Sequence, residues 1–201
     1  MNERPDAPAA RRNREAILEV LQQEISHGAS VLEIGSGTGQ HAVHFGSAMP
    51  GVTWQTSDRR QHHEGIDAWV SSSGLSNVLP PIELDVMTPL DISAHYDVMF
   101  SANTAHIMST EAVERMFALV GSLLPGDGLF FLYGPFNVDG AFTSDSNRDF
   151  DQSLRAQDLA MGIRDLADLN RLGASNGLSQ VRRYAMPANN MFVVWQRLGN
   201  E

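Results

Sequence analysis

Cysteine is absent from the 201-residue chain. Disulfide bonds, thiolate catalysis and cysteine-based metal sites are therefore excluded. No apolar run reaches the length of a membrane-spanning helix, and the polar, arginine-rich N-terminus lacks the apolar core of a secretion signal. We therefore expect a cytoplasmic protein that does not engage a membrane.

Positive charge is also scarce. The chain has 14 basic residues against 24 acidic ones, a formal net charge of −10. Proteins that follow a phosphate backbone normally present a basic face, whereas these arginines are scattered apart from the cluster Arg11, Arg12 and Arg14. Nucleic acid is therefore disfavoured as a partner. The cluster is interpreted as the solvated start of a helix, with binding of a ligand carboxylate by Arg14 as the alternative.

The overall composition is that of a globular protein, with 42% hydrophobic and 19% charged residues. A chain of this length is large enough to bury a full core in one domain. We therefore predict a single domain over residues 1–201. It comprises a covering helix at about 8–26 and a Rossmann-like core at about 30–201.

Residues 31–39 are the most informative stretch. A short apolar strand (31–34) runs directly into glycines at every second position, Gly35, Gly37 and Gly39, and a helix follows. Glycine tolerates positive φ and lets a ligand approach the backbone closely. The unpaired N–H groups at the start of the next helix face the same place. This pattern predicts a nucleotide-type ligand site at the carboxyl end of the first strand.

Two common nucleotide fingerprints do not fit this loop. The dinucleotide pattern G-x-G-x-x-G needs a glycine at position 40, where Gln40 stands. The phosphate-binding pattern G-x-x-x-x-G-K-[ST] does not occur anywhere in the chain. Spacing alone leaves the ligand open.

Hydrophobic periodicity predicts strands that alternate with helices. The predicted strands cover about 30–35, 52–57, 82–86, 96–102, 129–133, 178–185 and 191–197. The predicted helices after the covering helix cover about 39–48, 61–73, 110–124 and 164–176. The polar stretch 137–151 has no strong periodicity. Alternation predicts a doubly wound parallel α/β sheet, and the short connection 187–190 predicts a closing antiparallel hairpin.

Glu33-Ile-Gly-Ser-Gly-Thr-Gly39 resembles the first motif of the class I S-adenosylmethionine-dependent methyltransferases. That resemblance implies a Rossmann-like, seven-stranded, mostly parallel sheet with an antiparallel last strand. It also implies S-adenosyl-L-methionine as cofactor, S-adenosyl-L-homocysteine as product, and a carboxylate at Asp85 that receives the adenine amino group. The fourth strand's end would then lie beside the transferable methyl group.

Acidic residues at strand ends are the next candidates. Asp58 follows the second strand, where a carboxylate can accept both hydrogen bonds of a ribose diol; a turn aspartate is the alternative. For Asp85 the alternative is a helix or turn cap. Glu33 lies in an apolar strand and needs partners, since an unpaired buried carboxylate is costly; the alternative to a cofactor role is that it only binds loop N–H groups. The predicted cofactor site comprises Arg14, Glu33, Gly35, Ser36, Gly37, Gly39, Asp58, Arg59, Asp85, Val86, Ala102 and Asn103.

The acceptor side is predicted at the ends of the fourth and fifth strands. Asn103, His106 and Tyr133 are candidates for positioning the substrate or accepting its proton. The alternatives are a structural histidine and an aromatic residue that packs in the core. Further substrate candidates, equally readable as core or turn residues, are Phe136, Asn147 and Asn190. No metal site is predicted, because His41 and His44 lack a matching carboxylate cluster.

Nearly the whole chain is similar to a small methyltransferase-like family of unassigned substrate, a domain of unknown function. One departure is Gly35, where relatives often have alanine. The motifs are Arg12-Asn13-Arg14, Gly37-Thr-Gly-Gln-His-Ala-Val-His44, Leu132-Tyr-Gly-Pro-Phe136, Ser146-Asn147, Phe150-Asp-x-Ser-Leu-Arg155, Gly162-Ile-Arg-Asp-Leu166 and Met186-Pro-Ala-Asn-Asn190.

These observations predict a methyltransferase that acts on a small molecule. Two alternatives stay open. One is a non-catalytic module that binds S-adenosylmethionine or regulates through it, and the other is a nicotinamide-dependent oxidoreductase, which Gln40 disfavours. Neither the methyl acceptor nor the oligomeric state follows from these residues.

Overall fold

The computed structural model describes residues 4–88 and 95–199. Within them the helices are α1 Pro8–Glu24, α2 Gln40–Ala48, α3 His63–Ser73, α4 Thr110–Leu123, α5 Asp145–Gln157 and α6 Leu166–Ser175. The strands are β1 Ser30–Glu33, β2 Thr53–Asp58, β3 Val78–Glu83, β4 Val98–Ala102, β5 Leu129–Gly134, β6 Phe136–Asn137, β7 Arg164–Asp165, β8 Leu178–Met186 and β9 Asn190–Arg197. Short 3₁₀ helices cover Arg60–His62 and Pro187–Asn189.

Seven strands form one sheet in the order β3-β2-β1-β4-β5-β9-β8, and β6 pairs with β7 separately. β1 runs parallel to β2 and β4, and β2 runs parallel to β3. β9 is antiparallel to both β5 and β8. The predicted α/β class, with a seven-stranded mostly parallel sheet and a reversed last strand, is confirmed.

The chain divides into two compact units, residues 1–101 and 102–201. In the first unit, Phe45 of α2, Trp54 of β2 and Phe100 of β4 form a fully buried aromatic cluster with ring centroids 5.4 to 5.9 Å apart. These rings pack α2 against the strands on either side of β1. The single domain over 1–201 stays a prediction.

The second unit has a comparable aromatic centre. Phe117 of α4 packs edge-on against Phe130 of β5 and Trp195 of β9, at 5.4 Å from each ring centroid. α4 begins where the Ser109 hydroxyl accepts a hydrogen bond from the Ala112 N–H. The predicted helix at 110–124 is confirmed, and its apolar stripe is buried.

The predicted strand at 82–86 is displaced, because β3 covers Val78–Glu83. Pro80 and Pro81 weaken the sequence signal for a strand over these residues, since proline donates no ladder hydrogen bond. β3 lies at the edge of the sheet, and its register with β2 shifts between Leu79 and Ile82. An edge strand with a bulge tolerates both prolines.

α5 was not predicted, because residues 137–151 show no apolar period. Its buried positions are Asn147, Asp151 and Leu154, so two of the three are polar. The available signal was the capping serine: the Ser144 hydroxyl accepts from the Asn147 N–H. The two-residue strands β6 and β7 were also not predicted.

Over the described ranges, no helix combines the length and apolarity needed to cross a membrane.

Candidate functional site

The glycine-rich turn is closed by backbone hydrogen bonds to the end of β2. Gly35 N–H and Ser36 N–H both donate to the Ser57 carbonyl oxygen, at 3.1 and 2.9 Å. Gly35, Gly37 and Gly39 all have positive φ, at 76°, 59° and 85°. Since residues with a Cβ rarely adopt these angles, the three glycines are required by the path of the turn.

Gly37 and Gly39 differ in what lies in front of them. A Cβ on Gly39 would approach the Ile66 Cα to 3.1 Å, so this glycine allows α3 to pack closely. A Cβ on Gly37 would meet nothing within 4 Å. The turn is therefore packed at Gly39 and open at Gly37, where a ligand can approach the backbone.

Asp58 lies beside the open part of this turn. Its side chain is 12% exposed. Oδ2 accepts a hydrogen bond from Gly37 N–H at 2.8 Å, and Oδ1 accepts from Arg59 N–H at 2.7 Å. Each carboxylate oxygen can accept a second hydrogen bond. The structure therefore brings Asp58 to the glycine turn with acceptor capacity left on both oxygens. The Arg59 side chain is exposed.

Glu33 is buried at the base of the same turn, 2% exposed. Its Oε2 accepts hydrogen bonds from the Ser36 hydroxyl at 2.8 Å and the Trp54 indole N–H at 3.1 Å. Burial raises the pKa of the Glu33 carboxyl from 4.5 to about 7, although both hydrogen bonds lower it. The side chain thus ties the loop through a hydroxyl rather than through loop N–H groups.

Asp85 lies in a turn just after β3. Its Oδ1 accepts from Met87 N–H at 3.0 Å, which is the turn-capping geometry. Leu84 N–H donates to the Asp58 carbonyl oxygen at 3.0 Å, so this turn is tied to the end of β2. Asp85 and Val86 are both half-buried. Their assignment to the adenine site stays a prediction.

The polar residues after the glycines hold the N-terminal segment, a role the sequence did not reveal. The side-chain Oε1 of Gln40 accepts from Ala7 N–H at 2.5 Å, and its Nε2 donates to Asp6 Oδ1 at 3.1 Å. His41 Nε2 is 2.8 Å from Asn13 Oδ1. Gln40 therefore stands where the dinucleotide pattern needs its third glycine, and its side chain binds the chain's own N-terminal segment.

Arg14 lies on α1 and donates from Nε to Glu15 Oε1 at 3.2 Å, and 43% of its side chain is exposed. Its charge helps lower the pKa of His41 to about 4, after the larger effects of burial and His44. Binding of a ligand carboxylate by Arg14 stays a prediction. Within residues 4–88 and 95–199 no three His, Asp or Glu side chains cluster as a metal site requires.

In the second unit, Asn103 and His106 follow β4. Asn103 has a φ of 60°, and its N–H donates to the Tyr133 carbonyl oxygen at 2.9 Å. His106 is 7% exposed, and its ring lies edge-to-face with Phe150 at a centroid distance of 5.2 Å. Burial, followed by the charge of Arg164, lowers the pKa of His106 from 6.5 to about 4. The imidazole is therefore neutral near pH 7.

The other acceptor-side candidates are engaged within the second unit. Tyr133 and Phe136 are fully buried, whereas Ala102, a candidate for the cofactor site, is half-buried. Asn147 donates from Nδ2 to Thr143 Oγ1 at 2.9 Å and to the Asn189 carbonyl at 3.0 Å. The Asn190 amide donates to the Pro187 carbonyl at 3.0 Å. The side-chain amides of Asn147 and Asn190 thus donate hydrogen bonds to other residues of the chain. The roles of both asparagines toward a substrate stay predictions.

Several solved structures share this fold. An O-methyltransferase family protein from Burkholderia thailandensis superposes with a TM-score of 0.77 at 14% identity, over 94% of this chain and 59% of that one. An O-methyltransferase family 2 protein from Planctomyces limnophilus, in complex with apigenin, gives 0.81 at 16% identity over 94% and 58%. The S-adenosylmethionine-dependent methyltransferase SibL in its apo form gives 0.78 at 20% identity over 94% and 56%.

This chain therefore spans less than two thirds of the length of those methyltransferases and has their fold. A family model for proteins of unknown function, DUF938, matches residues 4–197. The chain belongs to that family.

The raised pKa of Glu33 makes a prediction about stability. A carboxyl whose pKa is higher in the folded than in the unfolded state stabilises the fold below pH 4.5 and loses that contribution as pH rises through about 7. Glu33→Gln abolishes the titration. We expect the wild type to lose about 2–3 kcal/mol of unfolding free energy relative to Glu33→Gln between about pH 5 and about pH 8.

Urea denaturation at both pH values measures this difference. The readout is the change of the unfolding free energy with pH, because the buried amide introduced by Glu33→Gln adds a cost that does not vary with pH. Glu83→Gln, at an exposed position on β3, is the matched control and should follow the wild type. If the unfolding free energies of the wild type and Glu33→Gln change with pH in parallel, burial does not oppose ionisation of Glu33 and the prediction is wrong.

Proposed function

We propose that this chain is an S-adenosylmethionine-dependent methyltransferase that acts on a small-molecule acceptor. The observation that carries the proposal is the pairing of Gly37 with Asp58, whose N–H and Oδ2 are 2.8 Å apart. An open glycine turn is thereby joined to a carboxylate at the ends of two adjacent parallel strands. Ligands of open α/β sheets bind at such strand ends.

The residues present fit the cofactor. Gly37 offers backbone without a side chain in the way, and Asp58 keeps acceptor capacity on both oxygens for a ribose diol. In the first unit we assign Asp85 and Val86 to the adenine. In the second unit, Ala102 and Asn103 stay candidates for binding the amino-acid end. When bound, the cofactor supplies a methyl group made electrophilic by its sulfonium.

The protein's task is then to orient the acceptor and exclude water. Well-oriented reactants can lower a barrier by about 7–11 kcal/mol. On the acceptor side we assign Asn103 and His106, with Tyr133 and Phe136 as walls. His106 is neutral near pH 7, the form that accepts a proton from a nucleophile. The structure of a methyltransferase of this fold with apigenin supports a small acceptor.

Calorimetry with S-adenosylmethionine, S-adenosylhomocysteine and NAD tests the cofactor. We expect both adenosyl compounds to bind and NAD not to bind, because Gln40 is engaged with Ala7 and Asp6 where the dinucleotide pattern needs glycine. Binding of NAD alone would contradict the proposal in favour of an oxidoreductase. A chain that binds the adenosyl compounds but transfers no methyl group to any of a panel of small acceptors is a binding module.

Asp58→Asn tests the carboxylate. We expect affinity for S-adenosylhomocysteine to fall by about 10- to 100-fold, because a neutral amide replaces two charge-assisted acceptor sites. The fold should persist, since the oxygen of the introduced amide can still accept from Gly37 N–H. Asp67→Asn, an exposed change of equal charge on α3, is the control and should bind as the wild type does. Equal affinity in Asp58→Asn would remove Asp58 from the site.

Gly37→Ala tests the open part of the turn. Gly37 and Gly74 both have positive φ, at 59° and 68°, and a Cβ on either would meet nothing within 4 Å. Alanine at either position should therefore cost a similar ~1–2 kcal/mol of unfolding free energy. Only Gly37→Ala should weaken S-adenosylhomocysteine binding, by at least about 10-fold. Equal binding by the two variants would place the ligand elsewhere.

A further inference from the structure

One guanidinium, that of Arg164, donates hydrogen bonds to three residues of the segment 105–110, which carries His106. Arg164 donates from Nε to the Ala105 carbonyl at 3.0 Å and from one terminal nitrogen to Thr110 Oγ1 at 3.2 Å. Its other terminal nitrogen donates to the carbonyls of Met108 and, at 2.8 Å, of Ala160. One planar fork therefore satisfies acceptors at the start, middle and end of the segment.

The backbone next to Arg164 is fixed from α5. Asp151, 5% exposed, accepts from Ile163 N–H on Oδ1 and from Arg155 Nε on Oδ2, both at 2.7 Å. Gly162 N–H donates to the His106 carbonyl at 2.9 Å. A Cβ on Gly162 would lie 2.6 Å from an Arg155 nitrogen and 2.9 Å from Asp151 Oδ1. The turn before Arg164 therefore requires glycine and the buried aspartate together.

The surroundings of the His106 ring are set by the same elements. α5 presents the Phe150 ring, and a Cβ on Gly134 at the end of β5 would lie 3.6 Å from His106 Nδ1. Arg164 on β7 is the charged group whose field acts on the imidazole; Asp151 and Arg155 on α5 act on Arg164. Motif residues 150–155 and 162–166, to which the sequence assigned no role, thus converge on His106.

We propose that Arg164 is a positioning residue: its guanidinium fork fixes segment 105–110 and so places the His106 imidazole against Phe150. The role of that placement in acceptor orientation rests on the proposed function. Lysine cannot replace the fork, because an ammonium group has three donors and no planar geometry that could span these carbonyls.

The test is NMR of histidine-labelled protein, with the His106 signal assigned by its loss in His106→Gln. In the wild type we expect an imidazole pKa of about 4 and a contact with the Phe150 ring. In both Arg164→Met and Arg164→Lys the freed segment should expose the ring. The pKa of His106 should then rise toward 6.5 and the Phe150 contact should weaken.

Arg148→Met is the matched control, because Arg148 is an exposed arginine that pairs with Asp145 on α5. Its His106 signal should equal that of the wild type. If Arg164→Lys keeps the wild-type pKa and Phe150 contact, charge alone suffices and the positioning role is overturned. An unchanged His106 in Arg164→Met overturns it as well.

Thermal unfolding is measured for each variant to check that it folds. If Arg164→Met does not fold, Arg164→Gln takes its place with the same expectation, since one amide cannot span the three carbonyls. Calorimetry of the wild type with S-adenosylhomocysteine runs in parallel. Failure of that binding contradicts the methyl-transfer proposal, whereas the His106 signal decides the role of Arg164 independently.

Discussion

Three consecutive backbone N–H groups, of Gly35, Ser36 and Gly37, donate to the end of β2, and the candidate cofactor site depends on them. The first two share the Ser57 carbonyl, and the third reaches the Asp58 carboxylate. This run bends the turn toward β2 and brings the acidic side chain beside the open glycine. It also explains the glycines at 35 and 37, because the donors can face β2 only along a path with positive φ.

Buried or half-buried ionisable groups in both units are hydrogen-bonded in ways that fix chain segments. Glu33 ties Ser36 to Trp54 at the base of the turn. In the second unit, Asp151 and Arg164 fix the two segments that meet at His106. Such groups are costly when left unpaired, so each network favours a single arrangement of its segments. Segments that carry candidate site residues are thus held by charge and hydrogen bonds as well as by apolar packing.

Much of the fold could be predicted because its helices and strands follow simple periods. The stripe of α4, the β1 turn and the closing hairpin each rest on local residue spacing. β3 was misplaced because an edge strand with a bulge accommodates Pro80 and Pro81. α5 was missed because Asn147 and Asp151 occupy buried positions that periodicity expects to be apolar. Both departures involve tertiary partners that local sequence does not contain.

The candidate site also has contacts that the sequence predicts and contacts that it does not. The nearness of Asp58 to the glycine turn follows from parallel strand topology, so spacing was enough to predict it. Other contacts join residues that are far apart in the sequence. The side chain of Gln40 is hydrogen-bonded to Asp6 and Ala7, and the guanidinium of Arg164 to Ala105, over separations of 33 to 59 residues. No spacing rule covers such pairs. Motifs can mark these residues as unusual, but only the folded chain identifies their partners.

A crystal structure of the chain with S-adenosylhomocysteine tests the central claim most directly. We expect the adenosine to lie over Gly37, with both ribose hydroxyls within about 3.2 Å of the Asp58 carboxylate oxygens. A ligand bound away from β1 and β2, or a ribose whose hydroxyls face another group, would contradict the assignment of this turn as the cofactor site.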